Sequence, residues 1–353
     1  MFKNIIYFLP AQKKPSGGAK VIYNHSNIIN KFAIRGLSSS IIHYKKKKYS
    51  KYLESIKKRL PFRNDKEFGY KFKDFKIVKN FKPDSDWFNE KINYKNNLEF
   101  DKKNDFIIFP EIIAHFAKDI CFKKKIKYAI FSLGIYHMYQ TNDLKIIDEV
   151  YSKSEFILDI SEDTRKCLLK IFPNLKKKIL RVNLSIDEDK FKFSKSKKNV
   201  ITCMPRKALT DFQLLNFFIY KKIPKSWKLI VLQNMSNSQI AKNLSLSRIF
   251  LSFSNFEGLG LPPIEAAICG NKVIGYSGEG GKEYFKKPLF EVVSKGNIYD
   301  LTEKILKNIK NLKKDWHLNL KNKKARLKLS SNYSNLNEIK SVKKITRKIL
   351  KIL

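Results

Sequence analysis

Apolar residues gather along this chain into short runs separated by polar loops and by stretches with helical spacing. The runs cover 4–9, 37–42, 105–109, 128–132, 156–160 and 179–182, and then 199–203, 228–232, 249–253, 272–275 and 290–293. Runs that are apolar at nearly every position predict strands buried on both faces. Their alternation with helical segments predicts an α/β chain built on parallel sheets. The first run, with its core at 5–9, is too short for the apolar region of a secretion signal and reads as a first strand. No run approaches the roughly 18 apolar residues that a membrane-spanning helix needs.

The two sets of runs predict two doubly wound, Rossmann-like parallel-sheet domains, residues 1–184 and 199–334. The polar, charged stretch 185–198 (SIDEDKFKFSKSKK) is expected to link them. Such halves bind ligands beyond the carboxyl ends of their strands, so a central cleft is expected. Residues 45–100 are Lys-rich without a clear period, and read as an extended or lid-like insertion. In the last segment, 335–353, Leu336, Ile339, Val342, Ile345, Ile349 and Ile352 fall at helical intervals, with Lys filling the other face. That basic amphipathic helix either packs on its own domain or lies on anionic lipid.

Composition changes the picture in one respect. Over 353 residues the formal charge is +41, which ordinarily points to polyanions. Yet of 73 basic residues only nine are Arg, the side chain whose fork reads bases, and no RNP, zinc or helix-turn-helix pattern occurs. Specific nucleic-acid binding is therefore not expected, and a general affinity for anions remains. Cys121, Cys167, Cys203 and Cys269 lie far apart, without zinc spacing, and read as reduced thiols in a cytoplasmic protein.

The chemistry concentrates in residues 249–285 (IFLSFSNFEGLGLPPIEAAICGNKVIGYSGEGGKEYF). A strand is followed by a loop carrying Glu257, Gly258 and Gly260, and then by a helix opened by Pro262 and closed by Gly270. Loop amides and a helix N-terminus favour an anion, and glycines let it approach the backbone. Glu257 and Glu265 bracket this site. A carboxylate accepts hydrogen bonds from hydroxyls and repels phosphate, so the fitting ligand carries both: a nucleotide sugar. GxGxxG and GxxxxGK[ST] are absent, which argues against dinucleotide oxidoreductases and P-loop kinases. The DxD patterns Asp84–Asp86 and Asp187–Asp189 read as solvated rather than metal-binding.

Glu257-GLGLPPI-Glu265-AAICG resembles the donor-binding motif of GT-B glycosyltransferases, specifically the retaining GT4-like group (glycosyl transferases group 1). The resemblance covers about fourteen consecutive positions and implies a GT-B architecture. It implies a retaining transfer of a sugar from a nucleotide-diphosphate sugar to a glycan or lipid-linked acceptor, of the kind used in cell-surface polysaccharide or glycolipid synthesis. Glu257 would hold the sugar hydroxyls and Glu265 the ribose hydroxyls, with the diphosphate on the amides of Gly258, Leu259, Gly260 and Leu261. Arg206 and Lys207, after the first strand of the second half, would neutralise the diphosphate. The family usually spaces such a pair further apart, and adjacent side chains point opposite ways, which favours Arg206.

In the first half, Gly17 and Gly18 resemble the family's glycine turn after strand one. The turn Gly278-Glu279-Gly280-Gly281 resembles one that lies near the donor, while Glu283 reads as structural or surface. Glu111, His115 and His137 follow strands where the family places acceptor-side groups. No cofactor and no metal are expected, because positive charge and helix dipole take the metal's place. The loop 233–238 is a candidate for contact with the base. Peripheral contact with the inner face of an anionic membrane fits the charge. Two other readings stay open: a non-catalytic GT-B-like protein that binds nucleotide sugars, and a basic membrane-surface or nucleic-acid-binding protein.

Overall fold

A computed structural model describes residues 3–14, 16–32, 36–47, 72–85, 88–141, 143–206, 208–313 and 315–353. The chain divides into two compact units. One comprises the residues up to Asp159, with Cys167–Val182 and Ile339–Leu353; the other comprises Ile160–Lys166 and Asn183–Glu338.

The first unit contains β1 (Lys3–Pro10), α1 (Gly17–Lys31), β2 (Leu37–Lys46), β3 (Phe75–Ile77), β4 (Asp105–Pro110), β5 (Lys127–Ser132), α2 (Leu144–Lys153), β6 (Phe156–Asp159) and β7 (Ile179–Arg181). The described strands form one sheet in the order β3-β2-β1-β4-β5-β6-β7. It is parallel throughout except for β3, which runs antiparallel to β2. Ile5, Ile6, Tyr7, Phe8 and Leu9 of β1 are buried in succession, as a strand covered on both faces must be. Phe8 stacks on Phe109 at 5.1 Å, tying β1 to β4 at the centre.

The second unit contains β8 (Val200–Cys203), α4 (Leu209–Ile219), β9 (Lys228–Val231), α5 (Asn237–Leu246), β10 (Ile249–Ser254), α6 (Leu261–Ile268), β11 (Lys272–Ser277), β12 (Phe290–Val292), α7 (Ile298–Asn311) and α8 (Leu320–Asn332). Its sheet has the order β12-β11-β10-β8-β9, all parallel. α3 (Glu162–Ile171) and α9 (Asn335–Ile352) each contribute residues to both units.

Each apolar run of the sequence is a strand, with ends shifted by a few residues. The structure departs from the sequence reading in three places. Part of the 45–100 insertion lies outside the described residues. Its remainder includes β3, three residues whose pairing is fixed by the β2 edge rather than by their own pattern. The stretch 185–198 is not a free linker but part of the second unit. Ile186 and Phe191 are buried there, and the Phe193 ring lies under the Arg326 guanidinium at 3.5 Å. Lys197 Nζ donates to the carbonyls of Cys269, at 2.6 Å, and Leu244, at 3.2 Å, at the ends of α6 and α5. Its charge count hid this packing, because Lys buries its stem while its head finds carbonyls. Burial holds that ammonium down to about 7. Finally, α9 follows the second half in sequence, yet from Ile339 on it belongs to the first unit, where Val342, Ile345 and Ile349 are buried.

The four cysteines are unpaired, and burial pushes the thiols of Cys203 and Cys269 up to about 12. Among the described residues no helix is long and apolar enough to cross a membrane.

Candidate functional site

In an open parallel sheet a ligand crevice opens where neighbouring strands send their connections to opposite sides. In the second unit that point lies between β8 and β10. The chain leaves β8 towards β9 on one side, and β10 leads to β11 on the other. Arg206 follows the carboxyl end of β8, and Glu257 to Gly260 follow that of β10, so the predicted donor residues flank the switch point. Arg206 is exposed on a turn closed by the Ala208 amide donating to the Pro205 carbonyl at 2.8 Å. Lys207 lies outside the described residues.

The β10–α6 loop is held by backbone contacts that demand glycine. Gly260 caps α6 in the left-handed region, at φ 79°, and Phe256 also has a positive φ of 44°. The Gly280 amide donates to the Glu257 carbonyl at 3.2 Å. A Cβ on Gly280 would stand 2.0 Å from the Gly258 carbonyl oxygen, so the β10–α6 and β11 loops touch backbone to backbone. The Cβ of Glu257 sits between two glycines: added Cβ atoms would lie 3.7 Å from it at Gly260 and 3.6 Å at Gly278. Tyr284, buried, donates its hydroxyl to the Gly260 carbonyl at 2.5 Å and lies 3.2 Å from the Leu259 carbonyl. The amides of Gly258, Leu259, Gly260 and Leu261 lead into the first turn of α6.

Pro262 and Pro263 carry no N–H, so anion binding at this helix start falls on those loop amides. Glu257 and Glu265 are both half-buried. Glu283 is structural, accepting from the Glu162 amide at 2.8 Å and the Tyr333 hydroxyl at 3.2 Å. The loop after β9 ends in a capping box, Ser236 with Gln239, that starts α5. Tyr284 was missed by sequence reasoning: a tyrosine between Glu283 and Phe285 carries no motif.

The first unit has its switch point between β1 and β4. Ser16 caps α1 by accepting from the Ala19 amide, which places Gly17 and Gly18 in the first turn of that helix. A Cβ on Gly17 would meet nothing within 4 Å, and one on Gly18 would lie 3.4 Å from Leu133 Cδ1. Glu111 follows β4 and is buried. Its Oε2 accepts from the Leu133 amide at 2.9 Å, and the Gly134 amide also points to this carboxyl. A Cβ on Gly134 would lie 3.1 Å from His137 Cδ2 and 3.4 Å from Glu111 Oε1.

Glu111, Gly134 and His137 thus come together at the ends of β4 and β5. His115 is half-buried, with its ring 4.7 Å from Phe116. Burial raises the Glu111 carboxyl to about 7 against the opposing pull of the amides. His25 and His43 are core residues bonded to Tyr7 and Tyr23 at 2.6 Å. Burial lowers them to about 3 and 4 respectively.

The raised Glu111 carboxyl has a stability consequence. Folded Glu111 holds its proton up to about 7 while the unfolded chain releases it near 4.5, so stability falls as pH rises across that window. Glu111→Gln keeps an acceptor oxygen for Leu133 and removes the titration. The gain in thermal midpoint from Glu111→Gln, relative to wild type, is expected to grow between pH 4.5 and 7; a difference constant with pH would contradict this.

Among the described residues no group of three His, Cys, Asp or Glu side chains is placed to hold a metal ion. Asp187 and Asp189 pair with Lys190 and Lys192 at 3.0 and 4.0 Å, as solvated carboxylates do. Asp86 lies outside the described residues.

Residues 221–326 match the family Glycosyl transferases group 1. The match takes in Glu257, Glu265, Gly280 and Tyr284 and spans less than a third of the chain. An alpha-1,6-glucosyltransferase of Actinobacillus pleuropneumoniae is 32% identical over 94 residues, 26% of this chain. The matched stretch spans only 28% of that relative's length. HepE of Anabaena, solved with UDP and glucose, superposes with a TM-score of 0.65 at 10% identity over the full length of both chains. Sucrose-phosphate synthase from Thermosynechococcus elongatus gives 0.66 at 10% identity, covering 99% of this chain and 100% of that one. TarM of S. aureus, solved with UDP and alpha-GlcNAc-glycerol, gives 0.61 at 14% identity over 96% and 99%. The fold of the chain is GT-B, with two Rossmann-like parallel-sheet domains.

Proposed function

We propose that the protein is a retaining, GT4-like glycosyltransferase that moves a hexosyl group from a nucleotide-diphosphate sugar to a glycan or lipid-linked acceptor at the cytoplasmic face of the membrane. The observation that carries this reading is the pair Glu257 and Glu265 around the Gly260-capped start of α6, at the switch point of the second unit and inside the matched family region. Polysaccharide or glycolipid synthesis is the setting that fits such an acceptor. UDP-glucose is the first donor to test, since HepE was also solved with it and the curated relative is named a glucosyltransferase.

The diphosphate would rest on the amides of Gly258, Leu259, Gly260 and Leu261, with Arg206 and Lys207 completing the charge. As the glycosidic bond breaks, negative charge grows on the departing diphosphate. Preorganised amides and a guanidinium then stabilise the transition state more than the bound donor. Glu265 would take the ribose hydroxyls and Glu257 the sugar hydroxyls, each by charge-assisted hydrogen bonds. The acceptor would meet the first unit beside Gly17, Gly18, Glu111 and His137. In this reading the cationic and amide groups do the work a metal does elsewhere, and the rate is expected to be unchanged by EDTA.

The test is turnover itself: release of nucleoside diphosphate from UDP-glucose in the presence of candidate glycans, with the anomeric signal of the first product read by NMR. A product of the donor's own anomeric configuration supports the reading; an inverted product, or no acceptor-dependent release with any donor, contradicts it. Arg206→Ala is expected to raise the donor KM by about 10- to 100-fold, the cost of one hydrogen bond to a charged group at about 1.5–3 kcal/mol. An unchanged KM would remove Arg206 from the site.

A further inference from the structure

The terminal helix, for which the sequence left packing on the protein and contact with lipid both open, buries Val342, Ile345 and Ile349 within the first unit. A different helix has apolar surface to spare. α4 carries apolar residues on two opposite faces: Phe212, Leu215 and Ile219 face the core of the second unit, while Leu214, Phe217 and Phe218 project from the other side, with Gln213 and Asn216 between them. Phe217 is 79% exposed and Tyr220, just past the helix end, 70%. Leu214, Phe217 and Phe218 stand at i, i+3 and i+4, one face of a helix. Lys221, Lys222 and Lys225 follow at once and are exposed, with Lys221 Nζ over the Tyr220 ring at 5.3 Å. Asp211 is the one acidic side chain on α4.

The geometry points to α4 and the lysines after it as a docking surface for an anionic lipid bilayer. Phe217, Phe218 and Leu214 enter the interface, Tyr220 stands at headgroup depth, and Lys221, Lys222 and Lys225 meet the phosphates. Charge selects this occupant. A second copy would bring another +41 against the same lysines, whereas an anionic leaflet attracts them. Protruding aromatics on one helix face, with lysines at the end of that helix, are a composition that interfacial helices use. The contact does not depend on which sugar is moved.

The test is co-sedimentation of the full chain with vesicles of phosphatidylcholine containing 30 mol% phosphatidylglycerol, and with phosphatidylcholine alone. Wild type is expected to bind the anionic vesicles more tightly and to release as salt rises. Lys221→Gln/Lys222→Gln, changes at exposed positions outside the core, should weaken binding by about five-fold per lysine. Phe217→Ser/Phe218→Ser, checked for an unchanged thermal midpoint, should weaken it at least ten-fold, on neutral vesicles too. Binding by both variants equal to wild type, or no binding by wild type, would overturn the proposal. So would a wild-type dimer that Phe217→Ser/Phe218→Ser turns into a monomer, because the face would then lie between copies.

Discussion

Glu265→Ala and Glu257→Ala are expected each to lower kcat/KM for the nucleotide sugar by about 100-fold or more, and to do so through different parameters. A carboxylate that accepts from hydroxyls contributes about 1.5–3 kcal/mol per hydrogen bond, and a pair of ribose hydroxyls offers two. Ribose does not change during transfer, so the loss at Glu265 is uniform binding and falls on KM. The sugar ring does change, flattening and gaining positive charge as the bond breaks. Loss of the negative charge at Glu257 therefore falls mainly on kcat. Both side chains are half-buried, and neither Ala substitution opens a core cavity, so the thermal midpoint should move little. Steady-state kinetics on the two variants checks this. Equal losses in the same parameter, or losses that track unfolding, would contradict the division of roles.

Gly280→Ala carries the second large effect. Its Cβ would stand 2.0 Å from the Gly258 carbonyl oxygen, and the obstacle is backbone, which has no rotamer to swing away. The two loops must part, at a cost of about 1–3 kcal/mol for overpacking. As they part, the loop that carries Glu257 is displaced by a substantial fraction of an ångström. A misplacement of about 1 Å in a reacting constellation costs on the order of 100-fold in rate. Gly17→Ala is the control: it meets nothing within 4 Å and sits in the first turn of α1, where Ala suits a helix better than Gly. Gly17→Ala should leave stability unchanged or raise it slightly, whereas Gly280→Ala should lower both stability and turnover. Thermal denaturation and kinetics on both proteins decide the point; a Gly280→Ala protein with wild-type rate and midpoint would mean that the loops are not pressed together.

The strands were legible because parallel strands buried on both faces must be apolar at nearly every position, and Ile5 to Leu9 or Ile249 to Phe253 satisfy that without reference to anything distant. The Gly260-capped start of α6 was legible for a local reason too: Gly, Pro and Glu at fixed offsets describe one turn of chain. What was not legible is long-range. Tyr284 reaches back to the Gly260 carbonyl, and the Gly280 amide to that of Glu257, across a helix, a strand and a turn. The contact of Glu111 with the Leu133 amide joins two strand ends 22 residues apart. The packing of 185–198 escaped notice because Ile186, Phe191 and Phe193 are few among many lysines, yet each is placed by the fold against a partner. β3 is three residues long, set by an edge rather than by a period. The apolar outer face of α4 was equally hidden, since Leu214, Phe217 and Phe218 read as core until Phe212, Leu215 and Ile219 take that place.

The central claim is that Glu265, Arg206 and the loop between β10 and α6 bind a nucleotide sugar. Thermal stabilisation against UDP-, GDP- and ADP-sugars, with unrelated polyanions as controls, tests it most directly when wild type is run beside Glu265→Ala and Arg206→Ala. A ligand at 100 times its Kd adds about 2.7 kcal/mol to the folded state. The account predicts a shift selective for one nucleotide sugar, and loss of that shift in both variants. Equal shifts with every polyanion, unchanged in either variant, would contradict it and leave the +41 charge as the source of all binding.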